Sequence, residues 1–159
     1  MNDIEKGWLA GILDGEGSIG IGRSKQGERY IYVAQVQMVS CGYPIIQKYQ
    51  ELVNSLGMTK TITTSRRERS GYIGEEYYIH IGRQQDVKTL LEFIKDSLVE
   101  KQEQAEIVLE FVNKRIAANH RGRGNPHNRT YDGTEEDYCQ RLSKLNRKRV
   151  PDRFKNNPD

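Results

Sequence analysis

The chain has 159 residues, 35 % of them apolar and 30 % charged, which is about one domain's length. That is enough apolar material for a core without disulfides and too much for a disordered chain. Two cysteines, Cys41 and Cys139, give no disulfide framework and point to a reducing, intracellular setting. The apolar runs are too short to span a bilayer, which argues against a membrane partner. No targeting segment is expected, because the chain opens directly on a capped helix. Net charge is only +3, but it is unevenly spread. Between Lys114 and Lys155 there are twelve Lys/Arg against five Asp/Glu, while the first twenty-two residues carry Asp3, Glu5, Asp14 and Glu16 against Lys6. A basic body around an acidic focus suits a polyanion partner with a cation-binding centre. On charge alone, a solvated basic tail fits equally well.

In chain order, residues 2–15 read as a helix. Asn2 with Glu5 makes a capping box, and Ile4, Trp8, Leu9, Ile12 and Leu13 have helical spacing. Asp14-Gly15-Glu16-Gly17 breaks it. The period then shifts to two: Ile19 and Ile21 alternate with small residues, a turn falls around Lys25-Gln26-Gly27, and Tyr30 to Cys41 is rich in Val, Ile and Tyr. Pro44 suits a first helical turn, followed by the stripe Ile45, Ile46, Tyr49, Leu52, Val53 and Leu56, ended by Gly57. A second hairpin is predicted from residues 59–67 and 72–82 around Ser70-Gly71. A helix beginning at Asp86 turns Val87, Leu90, Leu91, Ile94 and Leu98 inward, and another runs from about Glu103 to Ala117. Residues 119–133 read as loop, and Thr134 caps a last helix ended by Val150-Pro151. Hairpin connections make the sheet antiparallel and the fold α+β. The division expected is a core over residues 1–117 and a basic loop, helix and tail over 118–159.

Gly7, Gly11 and Gly15 recur every four residues and share one face of the first helix. Each interior glycine costs up to about 1 kcal/mol relative to alanine, so three of them need a reason. Close approach of another backbone supplies one. No other segment carries such a stripe, so the natural partner is the same helix of a second copy about a two-fold axis, with the chain's own sheet as the alternative. The end of that helix is the negative end of its dipole, and Asp14 and Glu16 stand there between flexible glycines. Carboxylates with a backbone carbonyl are how proteins hold Mg²⁺ beside a phosphate, although an acidic helix end is more often simply solvated.

Leu9-Ala10-Gly11-Ile12-Leu13-Asp14-Gly15-Glu16-Gly17 resembles the signature of the LAGLIDADG homing endonucleases, and a strand follows it as in that family. The likeness extends to about residue 117 through the order αββαββα and includes Lys101-Gln102-Glu103-Gln104-Ala105. It implies an antiparallel, saddle-shaped sheet, here with extra C-terminal helices. With one copy of the signature it implies a homodimer, whose interface would include Gly7, Trp8, Gly11, Ile12 and Gly15. It further implies a site-specific double-strand DNA endonuclease, an intron-homing enzyme that hydrolyses phosphodiesters at a long pseudo-palindromic site and leaves short 3′ overhangs. Mg²⁺ or Mn²⁺ would support cleavage and Ca²⁺ would bind without supporting it, and no small-molecule substrate is implied. By position, Glu16 and the Gly15 carbonyl match metal ligands. Asp14 matches the first acidic position, a further possible ligand for which a structural role at the helix end is the safer assignment. Lys101 matches a basic residue that stabilises charge or polarises the attacking water. Ser40 falls where the family has a polar water-ordering residue, often Gln, and Gln37 is the alternative.

The resemblance also places the strands in the major groove, where hydrogen-bonding patterns distinguish all base pairs. The DNA-facing set is then Ser18, Gly20, Gly22, Arg23, Ser24, Lys25, Arg29, Gln35 and Gln37 from the first hairpin. From the second it is Thr61, Thr63, Ser65, Arg66, Arg67, Arg69, Tyr78 and His80. Without the resemblance these residues read as an ordinary solvated sheet face. Arg121, Arg123, Arg129, Arg141, Lys144, Arg147, Lys148 and Arg149 suit phosphates or simple solubility. His120, His127 and Cys139 match no usual zinc spacing. The competing functions are a non-cleaving intron maturase, a DNA-binding regulator on the same scaffold, and a structural homodimer without nucleic acid.

Overall fold

The computed structural model describes residues 2–69, 72–119 and 133–148. Their order is α1 (Asp3–Glu16), β1 (Gly17–Gln26), β2 (Arg29–Ser40), α2 (Tyr43–Ser55), β3 (Thr63–Arg69), β4 (Tyr72–Ile81), α3 (Gln84–Ile94), α4 (Gln102–Asn119) and α5 (Glu135–Lys148). One 3₁₀ turn, Lys95–Ser97, follows α3. The four strands form one antiparallel sheet in the order β1-β2-β4-β3. The expected α+β fold is therefore present, with α4 and α5 added after the αββαββα series.

The helix ends follow local chemistry. Asn2 Oδ1 accepts the Glu5 N–H at 2.9 Å, and Glu5 Oε2 accepts the Asn2 N–H at 3.0 Å, completing the capping box. The helix then runs through Glu16, one residue beyond the predicted end at residue 15. Gln26 pairs with Arg29, so the first hairpin closes over Gly27-Glu28, with Gly27 in the left-handed region at φ 62°. The tip Ser70-Gly71 lies outside the described residues.

The β3 strand starts at Thr63 rather than at residue 59. The Lys60 N–H donates to Asn54 Oδ1 at 2.9 Å and its carbonyl accepts from Gln50 Nε2 at 2.6 Å. With both backbone groups held by α2 side chains, this stretch has nothing to offer a ladder. The Lys60 ammonium also meets Asp86 at 2.5 Å, anchoring it to the first turn of α3.

Alternation along the strands sorts the sheet into two faces. Ile19, Tyr32, Ala34, Val36, Met38, Ile79 and Ile81 are buried and share one side. Against that side pack Leu9 and Leu13 of α1, Ile46, Tyr49 and Val53 of α2, Val87, Leu90 and Leu91 of α3, and Val108, Phe111 and Val112 of α4. The α5 helix joins the same core through buried Leu142, with Tyr138, Cys139 and Leu145 partly covered. Its charged residues fix it further. Arg115 and Glu135 pair at 3.5 Å with side chains only 4 % and 3 % exposed. Arg141 takes Glu110 through both terminal nitrogens, at 2.6 and 3.2 Å. This pairing holds the Glu110 carboxyl below its usual range. Arg141 is thus a docking residue of α5. Among the described residues no helix is long and apolar enough to cross a membrane.

Candidate active site and nucleic-acid face

The C-terminus of α1 meets the N-terminus of α4, and the two ends cap each other. Asp14 Oδ2 accepts the Val99 N–H at 2.7 Å, and Oδ1 accepts those of Lys101 at 2.9 Å and Glu100 at 3.2 Å. In return the Lys101 ammonium donates to the Leu13 carbonyl at 2.8 Å and to the Asp14 carbonyl. An anion at the start of one helix and a cation at the end of the other both suit the dipoles. Both Asp14 oxygens thus accept backbone N–H groups, which suits the structural role at the helix end that the sequence favours for it.

Glu16, two residues on, is exposed and makes no hydrogen bond or ion pair among the described residues. It stands at the negative end of α1 beside the Gly15 peptide, with the Lys101 charge lodged on the same helix end. Gly17 closes the helix through its N–H to the Leu13 carbonyl. A Cβ at Gly17 would collide with the Leu13 side chain and come within 2.9 Å of its carbonyl, so no larger residue fits. A free carboxylate and a helix-terminal carbonyl are hard oxygen donors of the type Mg²⁺ takes. No group of three or more His, Cys, Asp or Glu gathers among the described residues. Ser40 Oγ accepts the Gly42 N–H at 3.0 Å and so closes the turn into α2. Gln37 instead stands on the helix-free face opposite Ser18, close to where the chain leaves Glu16.

The stripe of Gly7, Gly11 and Gly15 is open: a Cβ on any of the three would meet nothing within 4 Å. The stripe therefore does not pack on its own sheet. Beside it Ile4 is 83 % exposed, and Trp8 and Ile12 are only partly covered, whereas Leu9, Ala10 and Leu13 are buried. The apolar residues of α1 thus divide into one face for the core and another left uncovered.

The helix-free face of the sheet carries Ser18, Gly20, Gly22 and Ser24 of β1, Gln35 and Gln37 of β2, Thr63 and Ser65 of β3, and Tyr78 and His80 of β4. The expected reading residues thus assemble on one surface, with three groups of exceptions. Arg23 pairs with Tyr32, on the helix side of the sheet, and its guanidinium bonds Glu136 of α5 at 3.2 Å while lying 3.9 Å from the Tyr30 ring. Lys25 shares that side by register. Thr61 precedes β3 and is exposed. The side chains of Arg29, Arg66, Arg67 and Arg69 lie outside the described residues, as do residues 120–132 with His120, His127, Arg121, Arg123 and Arg129, and the side chains of residues 147–149.

Sequence reasoning missed α5 as part of this surface. Its Ser143 and Asn146 face Ser18, Gly20 and Gln35 across a recess of about 500 Å³ at the edge of β1. Glu136 anchors the other end, accepting from Tyr32 Oη at 2.9 Å as well as from Arg23. Burial and this bond push the Tyr32 hydroxyl up to about 12. The amphipathic period of α5 was visible in the sequence, but the strand edge it covers was not.

Comparison with known proteins decides the family. The LAGLIDADG-like domain profile matches residues 3–95, more than half of the chain. The chain belongs to the LAGLIDADG family. Its structure resembles that of I-CvuI, a homing endonuclease solved with an I-CreI target in 2 mM Mg with the DNA not cleaved. The TM-score is 0.55 at 18 % identity, over 90 % of this chain and 95 % of that one. It also resembles the LAGLIDADG homing endonuclease I-GzeII with its DNA target, TM-score 0.57 at 14 % identity, over 88 % of this chain but only 43 % of that one. For I-CeuI, a group I intron-encoded homing endonuclease complexed with DNA, the values are 0.53 and 19 %, over 74 % and 59 %. At these identities the likeness establishes the shared fold. No curated protein matches the chain.

Proposed function

We propose that the protein is a homodimeric, site-specific double-strand DNA endonuclease that hydrolyses phosphodiesters with a divalent metal. The observation that carries this reading is the contrast at the end of α1: Asp14 is engaged in capping, while Glu16 is exposed and unpaired among the described residues. A stability role would engage a carboxylate, and a ligand role leaves one available. Glu16 and the Gly15 carbonyl would hold Mg²⁺ or Mn²⁺, and Ca²⁺ would bind there without supporting cleavage. Bound there, the cation supplies Lewis-acid activation of the scissile phosphodiester and its attacking water. Structures of I-CvuI on DNA in the presence of Mg and of Ca support a divalent cation as such.

The protein's own groups do the rest. The uncovered glycine face of α1 seats the same face of a second copy, which brings two Glu16 residues together near the dyad, one per DNA strand. Lys101 keeps a positive charge on the helix end, where negative charge builds on the phosphate during attack. Gln37, in preference to Ser40, orders water there. The helix-free sheet face lies in the major groove and reads the site, while Arg23 and Lys25 take no part in reading.

Selection of cleaved molecules from a randomised duplex library in Mg²⁺ tests this. The expected product is a set of near-palindromic sites cut on both strands, with no cutting in EDTA. Sequence-selective binding without cutting in any divalent metal would instead favour a maturase or DNA-binding regulator, and the absence of salt-dependent duplex binding would leave only a structural dimer.

A further inference from the structure

On the helix-free face, register brings a glutamine of β2 beside a histidine of β4. His80 pairs with Gln37, which places Gln35 on the diagonal, and His80 Nε2 lies 3.3 Å from Gln35 Oε1. A carbonyl oxygen only accepts, so His80 donates through Nε2–H. Two glycines make room for the pair. A Cβ at Gly82 would stand 2.7 Å from His80 Cε1, so the imidazole packs closely on Gly82. A Cβ at Gly22 would stand 3.4 to 3.6 Å from Oε1, Cδ and Nε2 of Gln35, so the amide plane rests on Gly22.

The orientation of the Gln35 amide is therefore set before any partner arrives, which removes an ordering cost from recognition. Its oxygen is turned sideways onto β4, and its N–H₂ is the end left to offer. Gln35 also lines the recess beside α5. In the major groove, adenine takes a glutamine through a donor and an acceptor together and so needs both ends of the amide. Guanine presents two acceptors, N7 and O6, and thymine presents O4.

We propose that Gln35 and His80, seated on Gly22 and Gly82, form one preset base reader. It selects an acceptor edge, guanine foremost and thymine next, and disfavours adenine at one base pair of each half-site. Gln35 makes the contact and His80 is the positioning residue. The inference rests on the DNA-reading role proposed above.

The test is selection by binding from a randomised duplex library at fixed salt, using the full-length protein and its variants. Gln35→Leu is expected to erase the preference at one base pair per half-site, about tenfold against the wrong base, and to leave other positions unchanged. His80→Phe frees the amide oxygen and is expected to swing that same position to adenine, while His80→Gln, which keeps an N–H donor, retains guanine. Gly82→Ala displaces the imidazole without removing it and should act in the same direction as His80→Phe. A preference unaltered by Gln35→Leu, or a guanine preference that survives both His80→Phe and Gly82→Ala, would overturn the proposal. Wild-type protein with no sequence preference would refute the DNA-reading role and this inference with it, which distinguishes the two failures.

Discussion

Replacing Asp14 with alanine should destabilise the fold, and replacing Glu16 with glutamine should not. The Asp14 carboxylate accepts three backbone N–H groups at the start of α4. Loss of an N-cap side chain costs about 1 kcal/mol and sometimes about 2, and bonds to a charged acceptor lie at the upper end of the range. Water can replace the carboxylate at Val99, which is 87 % exposed, but less readily at half-buried Lys101. The expected cost is therefore about 2 kcal/mol, or a fall of about 4–8 °C in melting temperature at this chain length. Glu16 is exposed and unpaired among the described residues, so Glu16→Gln should stay within about 0.5 kcal/mol of wild type. Thermal unfolding followed by circular dichroism, with a urea titration for the midpoint, reads both. Wild-type melting for Asp14→Ala would refute the capping argument. A clear loss for Glu16→Gln would show that Glu16 has a structural partner and would remove the contrast on which its ligand role rests.

Arg115→Met should cost about 3–5 kcal/mol, because it strands buried Glu135 without its counter-charge. The double variant Arg115→Met/Glu135→Leu should recover most of that in a urea titration. Tyr49 is fully buried, burial pushes its pKa up, and its hydroxyl has no hydrogen-bond partner among the described residues. Tyr49→Phe should therefore stabilise the protein by about 1 kcal/mol, read from the same titration. Tyr32 has its folded pKa raised above the ordinary value of 10.0 to about 12, so its contribution is complete below pH 10 and is lost as pH rises toward 12. The melting temperature of wild type should fall through that window, and Tyr32→Phe should flatten the fall. Gly11→Leu fills the open face of α1 and should yield monomers in analytical ultracentrifugation with an unchanged monomer fold.

Much of the architecture was legible because local signals decide it. The Asn2/Glu5 pair starts α1, Gly27 turns the first hairpin, and period-two alternation separates Val36 and Met38 from Gln35 and Gln37. The open glycine face of α1 was legible for the same reason. What escaped depends on partners remote in sequence. Asp14 and the Lys101 N–H lie 87 positions apart, and no spacing rule predicts that they cap each other's helices. Lys60 begins no strand because α2 already holds its backbone. The resemblance alone places Arg23 among the reading residues. Its alternation with Ile19 and Ile21 puts it on the helix side, where Glu136 of α5 receives it.

The most direct measurement compares wild type with Glu16→Gln on one selected duplex site in Mg²⁺, with each strand labelled separately and binding measured in parallel. The account predicts equal binding by both proteins, cutting of both strands by wild type, and cutting of neither strand by the variant. Equal cutting by the two proteins would contradict the assignment of Glu16 as the essential metal ligand.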